Sequence, residues 1–168
     1  MAIKEEVIEK YLKEMSVEYK KNEDDVFLIN HSSDKDEISI AVRLMDNGSY
    51  LQIKAAKHLG DLVAEVNEEV RANLLKWMLE KNYYSKLGCW EYDPKDHDYN
   101  IAVGHFIADG ELTKIQFRSI YNLVSSSVNS IPEMKKSLGI NTDGFYEKEK
   151  KRQELLEQLR ELDEECGI

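Results

Sequence analysis

The sequence predicts an α+β protein in which a single antiparallel sheet packs against helices, in the order helix, three strands, helix, two strands, helix, with a charged helical tail. Three observations carry that expectation: a helical apolar stripe at the N-terminus, two alternating segments around an Asn-Gly turn, and late leucines spaced among charges. At 168 residues the chain suits one compact domain plus an appendage. The expected division is a globular domain over 1–140 and a linker with a C-terminal helix over 141–168.

Ile3, Val7, Ile8, Tyr11, Leu12 and Met15 recur three and four residues apart, which places them on one face of a first helix, expected to end near Lys21-Asn22. Val26 to Ile29 is a short apolar run of strand length, and Asn30 to Asp34 reads as a turn. Ile38, Ile40, Val42 and Leu44 then alternate with Ser39, Ala41 and Arg43, the pattern of a strand with one buried face. Asp46-Asn47-Gly48 supplies residues that tolerate positive φ, so Tyr50, Leu51, Ile53 and Ala55 return as the antiparallel partner. Without a secretory signal, Asn47-Gly48-Ser49 is read as this turn and not as a glycosylation site.

Asn67 caps a second helix with Glu68 and Glu69 in its first turn and Val70, Leu74, Trp77 and Met78 as its stripe. Leu87 to Tyr92 and Tyr99 to Ala108 form two further strands around the Asp93-to-Asp98 turn. Thr113 and Gln116 have the spacing of a capping box, and Phe117, Ile120, Tyr121, Val124, Val128 and Ile131 follow as one helical face. Pro132 is expected to interrupt that helix, with Glu133 to Leu138 continuing it and Gly139 stopping it. After Asn141-Thr142-Asp143-Gly144, Phe145, Leu155, Leu159, Leu162 and Cys166 trace a short, imperfect heptad seam. Such a seam fits a docking helix better than a free coiled coil.

A net charge of −10 opposes phosphate backbones and anionic membrane surfaces, because nonspecific affinity for both depends on Lys and Arg. Neither nucleic acid nor membrane is therefore an expected partner. The first dozen residues lack the uninterrupted apolar run of a signal peptide, and no stretch approaches the roughly 18 apolar residues of a membrane span. The expected location is the cytoplasm. Cys89 and Cys166 are far apart with no CxxC or HxxxH company, so free thiols are expected and neither a disulfide framework nor a zinc site is.

No phosphate loop, GxGxxG turn, GxSxG elbow or HExxH helix occurs. Asp93, Asp96, His97 and Asp98 include ligand types for a divalent metal, but strand-to-strand turns use the same residues, and a calcium loop's central glycine and twelfth-position acid are missing. Cys89 and His105 would make a nucleophilic pair only if their strands bring them within hydrogen-bond reach. His31 and His58 are expected to be solvated. No cofactor, metal or catalytic residue is expected.

The aromatics are the more informative group. Trp77 belongs to a helical stripe and reads as core, whereas Trp90 and Tyr92 share one face of their strand, a face that periodicity assigns equally to core or to partner. The expected partner-binding residues are Trp90, Tyr92, Leu155, Leu159 and Leu162, the apolar groups least clearly claimed by the core.

The segment Asn82-Tyr83-Tyr84-Ser85-Lys86-Leu87-Gly88-Cys89-Trp90-Glu91-Tyr92-Asp93, an aspartate-rich turn, Tyr99 to Val103, Leu112-Thr113 and Ser130-Ile131-Pro132 together resemble the YbjN-like families. In element order the likeness runs from Ile3 to Ile140, and it is residue-specific from about Asn82 to Pro132. The resemblance implies the architecture of type III secretion chaperones, whose members often dimerise and hold an extended segment of a client protein. It implies no cofactor and no active site. The expected function is thus a non-catalytic chaperone or adaptor with a protein or peptide client, its negative charge favouring basic clients, and with a homodimer left open. The competing readings are an assembly subunit acting through its C-terminal helix and, behind it, an uncatalogued enzyme.

Overall fold

A computed structural model describes residues 3–33, 36–107 and 110–166. The chain divides into two compact units, 1–138 and 139–168. The first carries α1 (Glu5–Glu14), β1 (Lys20–Lys21), β2 (Phe27–Ser33), β3 (Asp36–Met45), β4 (Tyr50–Ala56), α2 (Leu62–Glu65), α3 (Glu68–Tyr84), β5 (Cys89–Tyr92), β6 (Tyr99–Phe106), α4 (Lys114–Ser125) and α5 (Ile131–Leu138), and the second carries α6 (Asp143–Cys166). The six strands form one sheet in the order β1-β2-β3-β4-β6-β5, with every neighbouring pair antiparallel.

Register sorts the side chains. Phe27 stands opposite Val42, Val42 opposite Ile53, Ile53 opposite Val103, and Ile101 opposite Trp90. Because alternate residues share a face, this row puts Phe27, Ile40, Val42, Ile53, Val103 and Trp90 on one side, where all are buried. Ile8 and Leu12 of α1, Leu74 and Met78 of α3, Phe117 and Val124 of α4, and Ile131 and Met134 of α5 are buried as well. Each such side chain is worth about 1.5 to 3 kcal/mol on leaving water. The opposite face carries Arg43, Gln52, Lys54, Glu91, Asn100 and Phe106. There Tyr50 lies across Gly104, where a Cβ would collide with the ring, and packs its ring 4.9 Å from that of Phe106.

Local chemistry moved several boundaries. The first helix ends at Glu14 and not near Lys21-Asn22, because Ser16 takes a φ of 56° and Val17 N–H donates back to Leu12 C=O at 3.0 Å, the left-handed C-terminal closure. The freed segment makes β1, whose two lysines occupy the sheet edge, a composition that discourages pairing with other chains. β2 continues to Ser33, through residues that read as a turn. The fourth helix does break, but at a 3₁₀ stretch over Ser126–Ser130, before Pro132. Ser125, Ser126 and Ser127 each donate a hydroxyl to the carbonyl three residues back, competing with the helical ladder. Pro132 is the second residue of α5, where its missing N–H costs nothing. The capping box of Thr113 and Gln116 is present, as is the Asn67 cap, which accepts from Val70 N–H at 3.0 Å.

Nothing in the hydrophobic pattern marked α2 or its lock. The buried Arg71 donates to the carbonyls of Val63 at 2.9 Å, Ala64 at 3.2 Å and Val66 at 2.6 Å, gathering acceptors that the end of a one-turn helix leaves open. In the second unit, α6 exposes Leu155, Leu156 and Leu159. The side chains of Phe145, Leu162 and Cys166, assigned to its seam, lie outside the described residues.

Candidate functional site

The residues around Trp90 form the most elaborated region of the first unit. The Asn82 side chain reaches from the end of α3 to the backbone of β5: its Oδ1 accepts from Trp90 N–H at 2.7 Å and its Nδ2 donates to Trp90 C=O at 2.9 Å. One amide side chain thus serves as the missing neighbouring strand and closes that edge at Trp90 to strand addition. The indole, only 8% exposed, meets the Trp77 ring at 5.3 Å and the His58 ring at 4.8 Å. Trp90 is accordingly claimed by the core more fully than its strand pattern suggested, because α3 and the His58 segment cover the sheet face it shares with Ile101.

His58 corrects a second expectation. It is not solvated: it is 4% exposed, and its Nε2 lies 2.7 Å from Ser127 Oγ. The Ser127 hydroxyl hydrogen is already donated to Val124 C=O at 2.6 Å, so Nε2 carries the ring proton and donates, leaving Nδ1 as a bare acceptor with no hydrogen-bond partner. Burial pushes the imidazole down to about 4, which keeps it neutral at physiological pH. Tyr99 completes the group, its ring 6.3 Å from His58 and its hydroxyl accepting from Leu59 N–H at 2.6 Å.

Against this wall opens a cleft of about 320 Å³, within the range of ligand-sized recesses. Leu87, Trp90, Ile101 and Leu123 provide its apolar surface, and Lys86 and serine hydroxyls its rim. Gly88 is required there: its φ is 85°, and a Cβ would lie 3.1 Å from both Leu123 Cδ2 and Val103 Cγ2. Lys81, also on the rim, pairs with Glu133 at 2.5 Å. That hydrogen bond, ahead of the lysine's charge and the contact from Trp77, holds the Glu133 carboxyl below its ordinary range.

The other sequence candidates are dispersed. Tyr92 is half-buried, its hydroxyl 2.7 Å from His97 Nδ1 and its ring stacked on that imidazole. It borders a different recess, of about 480 Å³, beside Lys54, Glu91 and Asp96. Leu155 and Leu159, on α6, are 52% and 56% exposed, and the Leu162 side chain is outside the described residues. Within the aspartate turn, Asp93, Asp96 and Asp98 carboxylates accept from the backbone N–H groups of Lys95, Asp98 and Tyr99, which is the turn chemistry of aspartate. Cys89 pairs in register with Ala102, so His105, three residues further along β6, stands on the opposite face of the sheet. The two do not form a nucleophilic pair.

Sequence reasoning missed the surface of α3. Leu79, Tyr83 and Tyr84 are 71%, 82% and 75% exposed, and Leu87 just beyond the helix is 47% exposed. The available signal was that α3 is apolar on two sides: Leu79 and Tyr83 fall off the stripe that holds Leu74 and Met78.

No protein-family model and no curated protein matches the chain. Among solved structures, a chain in the crystal structure of the ExsC–ExsE complex superposes with a TM-score of 0.52 at 11% identity, covering 76% of this chain and 92% of that one. An uncharacterized protein from Methanothermobacter thermautotrophicus gives a TM-score of 0.44 at 15% identity, over 80% of this chain and 92% of that one. The first of these shares the fold, a single antiparallel sheet packed against helices, that the element order implied. No helix among the described residues is long and apolar enough to cross a membrane.

Proposed function

We propose that this chain is a non-catalytic protein-binding module, chaperone- or adaptor-like and related to the YbjN-like proteins, that acts in the cytoplasm by holding a segment of a partner protein. The observation that carries the reading is the apolar cleft over Trp90, Leu87, Ile101 and Leu123. Its fold neighbour was solved as a complex of two named proteins, which favours a protein ligand for this fold over a small metabolite. Trp90 contributes the cleft's rigid wall. Tyr92 acts at a secondary contact beside the acidic turn, and it is here that the chain's negative charge selects basic groups on the client.

The mode of binding follows from the edges. Asn82 occupies the Trp90 position of the β5 edge and two lysines occupy β1, so a client seats its side chains in the cleft and does not extend the sheet through Trp90. The test compares tagged wild-type chain with Leu123→Trp, which fills the cleft, and with Gln52→Ala on the opposite face. A partner retained by wild type and Gln52→Ala but lost from Leu123→Trp supports the reading, and equal retention by all three overturns it.

A second reading has its own observation. Leu155, Leu156 and Leu159 leave an apolar strip exposed on α6, as an assembly subunit acting through its C-terminal helix requires. Leu155→Asp with Leu159→Asp abolishes capture if α6 is the binding element and leaves it unchanged if the cleft is.

A further inference from the structure

We infer that Asn47-Gly48 is a site of covalent self-modification, at which the chain's own backbone and a water molecule convert Asn47 into isoaspartate, and that this conversion releases the N-terminal segment held by the turn. The inference uses no residue of the cleft and does not depend on client binding.

The sequence supplies the reactants. Among the asparagines of the chain, Asn47 alone is followed by glycine, the neighbour whose missing Cβ leaves its amide nitrogen free to approach a side-chain carbonyl. Asparagine is also among the chemically labile residues. The Asn47 side chain is exposed. The hydroxyl of Ser49 donates to Asp46 C=O at 2.8 Å, and among the described residues no hydrogen bond engages the Asn47 amide.

The backbone is strained at the same place. Asp46, Asn47 and Gly48 take φ values of 50°, 55° and 83° in succession. In the first two, Cβ crowds the following carbonyl, which is why left-handed residues with side chains occur singly and not in runs. Rotation of Asn47 toward the geometry of attack therefore gives up less than it would from a relaxed turn.

The reaction needs only water. Hydroxide removes the Gly48 amide proton, and the nitrogen forms a bond to Asn47 Cγ. The bond from Cγ to the side-chain nitrogen breaks, that nitrogen leaves as ammonia with a proton from water, and hydroxide is regenerated. The product is a five-membered imide. Water then opens it: cleavage at Cγ gives ordinary aspartate, whereas cleavage at the Asn47 backbone carbonyl gives isoaspartate, in which the chain runs through Cγ. Nothing is oxidised or reduced.

The fit around the turn gives isoaspartate its consequence. Gly48 is buried and its C=O accepts from Ile3 N–H at 3.3 Å, while a Cβ at Gly48 would collide with the Ile3 carbonyl oxygen. Ile3 itself is 8% exposed, the first core residue ahead of α1. On the other side, Ser49 C=O accepts from Ile107 N–H at 2.9 Å. Isoaspartate inserts a backbone carbon ahead of Gly48 and sets a carboxylate beside Asp46. A chain pinned this closely has no slack for that carbon, so Gly48 is displaced from Ile3. Aspartate adds the same charge without the carbon and leaves the contact in place.

The test incubates the folded full chain in heavy-oxygen water at near-neutral and mildly alkaline pH and maps its peptides by mass spectrometry. The Asn47 peptide should take up heavy oxygen about tenfold faster or more than any other asparagine peptide, at a rate proportional to hydroxide, and a protein-isoaspartate methyltransferase should methylate it. Asn47→Gly, which keeps the left-handed turn, should show no uptake there. A folded chain whose Asn47 keeps its amide as long as the other asparagines do overturns the inference, whether or not the urea-unfolded chain reacts. Amide exchange followed by NMR reads the consequence: the isoaspartate form should lose protection at Ile3 and through the first turn of α1, and Asn47→Asp should not. Equal protection in the isoaspartate form and the unmodified chain overturns the release.

Discussion

Acidification should weaken this fold through His58 before it affects the carboxylates. The imidazole is buried and neutral, with a folded-state pKa of about 4 against an ordinary 6.5. Between those values the unfolded chain binds a proton that the folded chain refuses. Stability is therefore intact above pH 6.5, falls as pH drops through the window and reaches its full loss below about 4. The shift sets a ceiling of about 3 kcal/mol, of which about 2 kcal/mol is lost between pH 7 and pH 5. Glu9, Glu14 and Glu133, all held below their ordinary 4.5 by lysine partners, contribute stability that disappears only at lower pH. Urea denaturation at pH 7 and pH 5, for wild type and His58→Gln, isolates the histidine, since the slope with pH is compared and not the absolute stability. The wild type should lose about 2 kcal/mol over that interval and the variant much less. Equal losses would refute a His58 that is buried and neutral in the folded chain.

Asn82→Ala leaves the Trp90 N–H and C=O without their partner and should cost about 2 to 4 kcal/mol, with Asn82→Asp intermediate because it keeps the acceptor; thermal melts followed by tryptophan fluorescence measure both. Gly104→Ala should destabilise strongly while Tyr50 stands over the site and much less in a Tyr50→Ala background, a non-additivity that a double-mutant cycle of denaturation midpoints would reveal. Arg71→Met should cost about 3 kcal/mol or more by stripping three carbonyls of their donor, read as local loss of hydrogen-exchange protection at the start of α3.

How legible the molecule was depends on whether a signal was periodic or convergent. Ile38 to Leu44 and Tyr50 to Ala55 announced β3 and β4 because alternation and an Asn-Gly turn agreed, and Thr113 with Gln116 announced α4 because both capping groups lie in the sequence itself. Helix ends were harder. Ser16 closes α1 by a backbone conformation that serine rarely adopts, and three serines, not the conspicuous proline, end α4. The cleft was half visible: Trp90 could be singled out, but Lys81, Leu123 and Ser127 line it from other elements, and no spacing links them to Trp90. Arg71 gave no signal in the sequence, because the carbonyls of Val63, Ala64 and Val66 that it binds belong to α2 and its end, which no hydrophobic pattern marks. Leu79 and Tyr83 fall outside the stripe that Leu74 and Met78 bury, and apolar spacing does not tell an exposed side of a helix from a covered one.

The central claim, that a partner's segment occupies the cleft beside Trp90, is met most directly by a photoreactive amino acid placed at Lys86 on the cleft rim, with a control at Gln52 on the opposite sheet face. Irradiation in the source cells followed by mass spectrometry should join Lys86's position to one defined segment of one protein, with no such adduct from Gln52. Adducts equally abundant and equally varied from both positions would contradict the account.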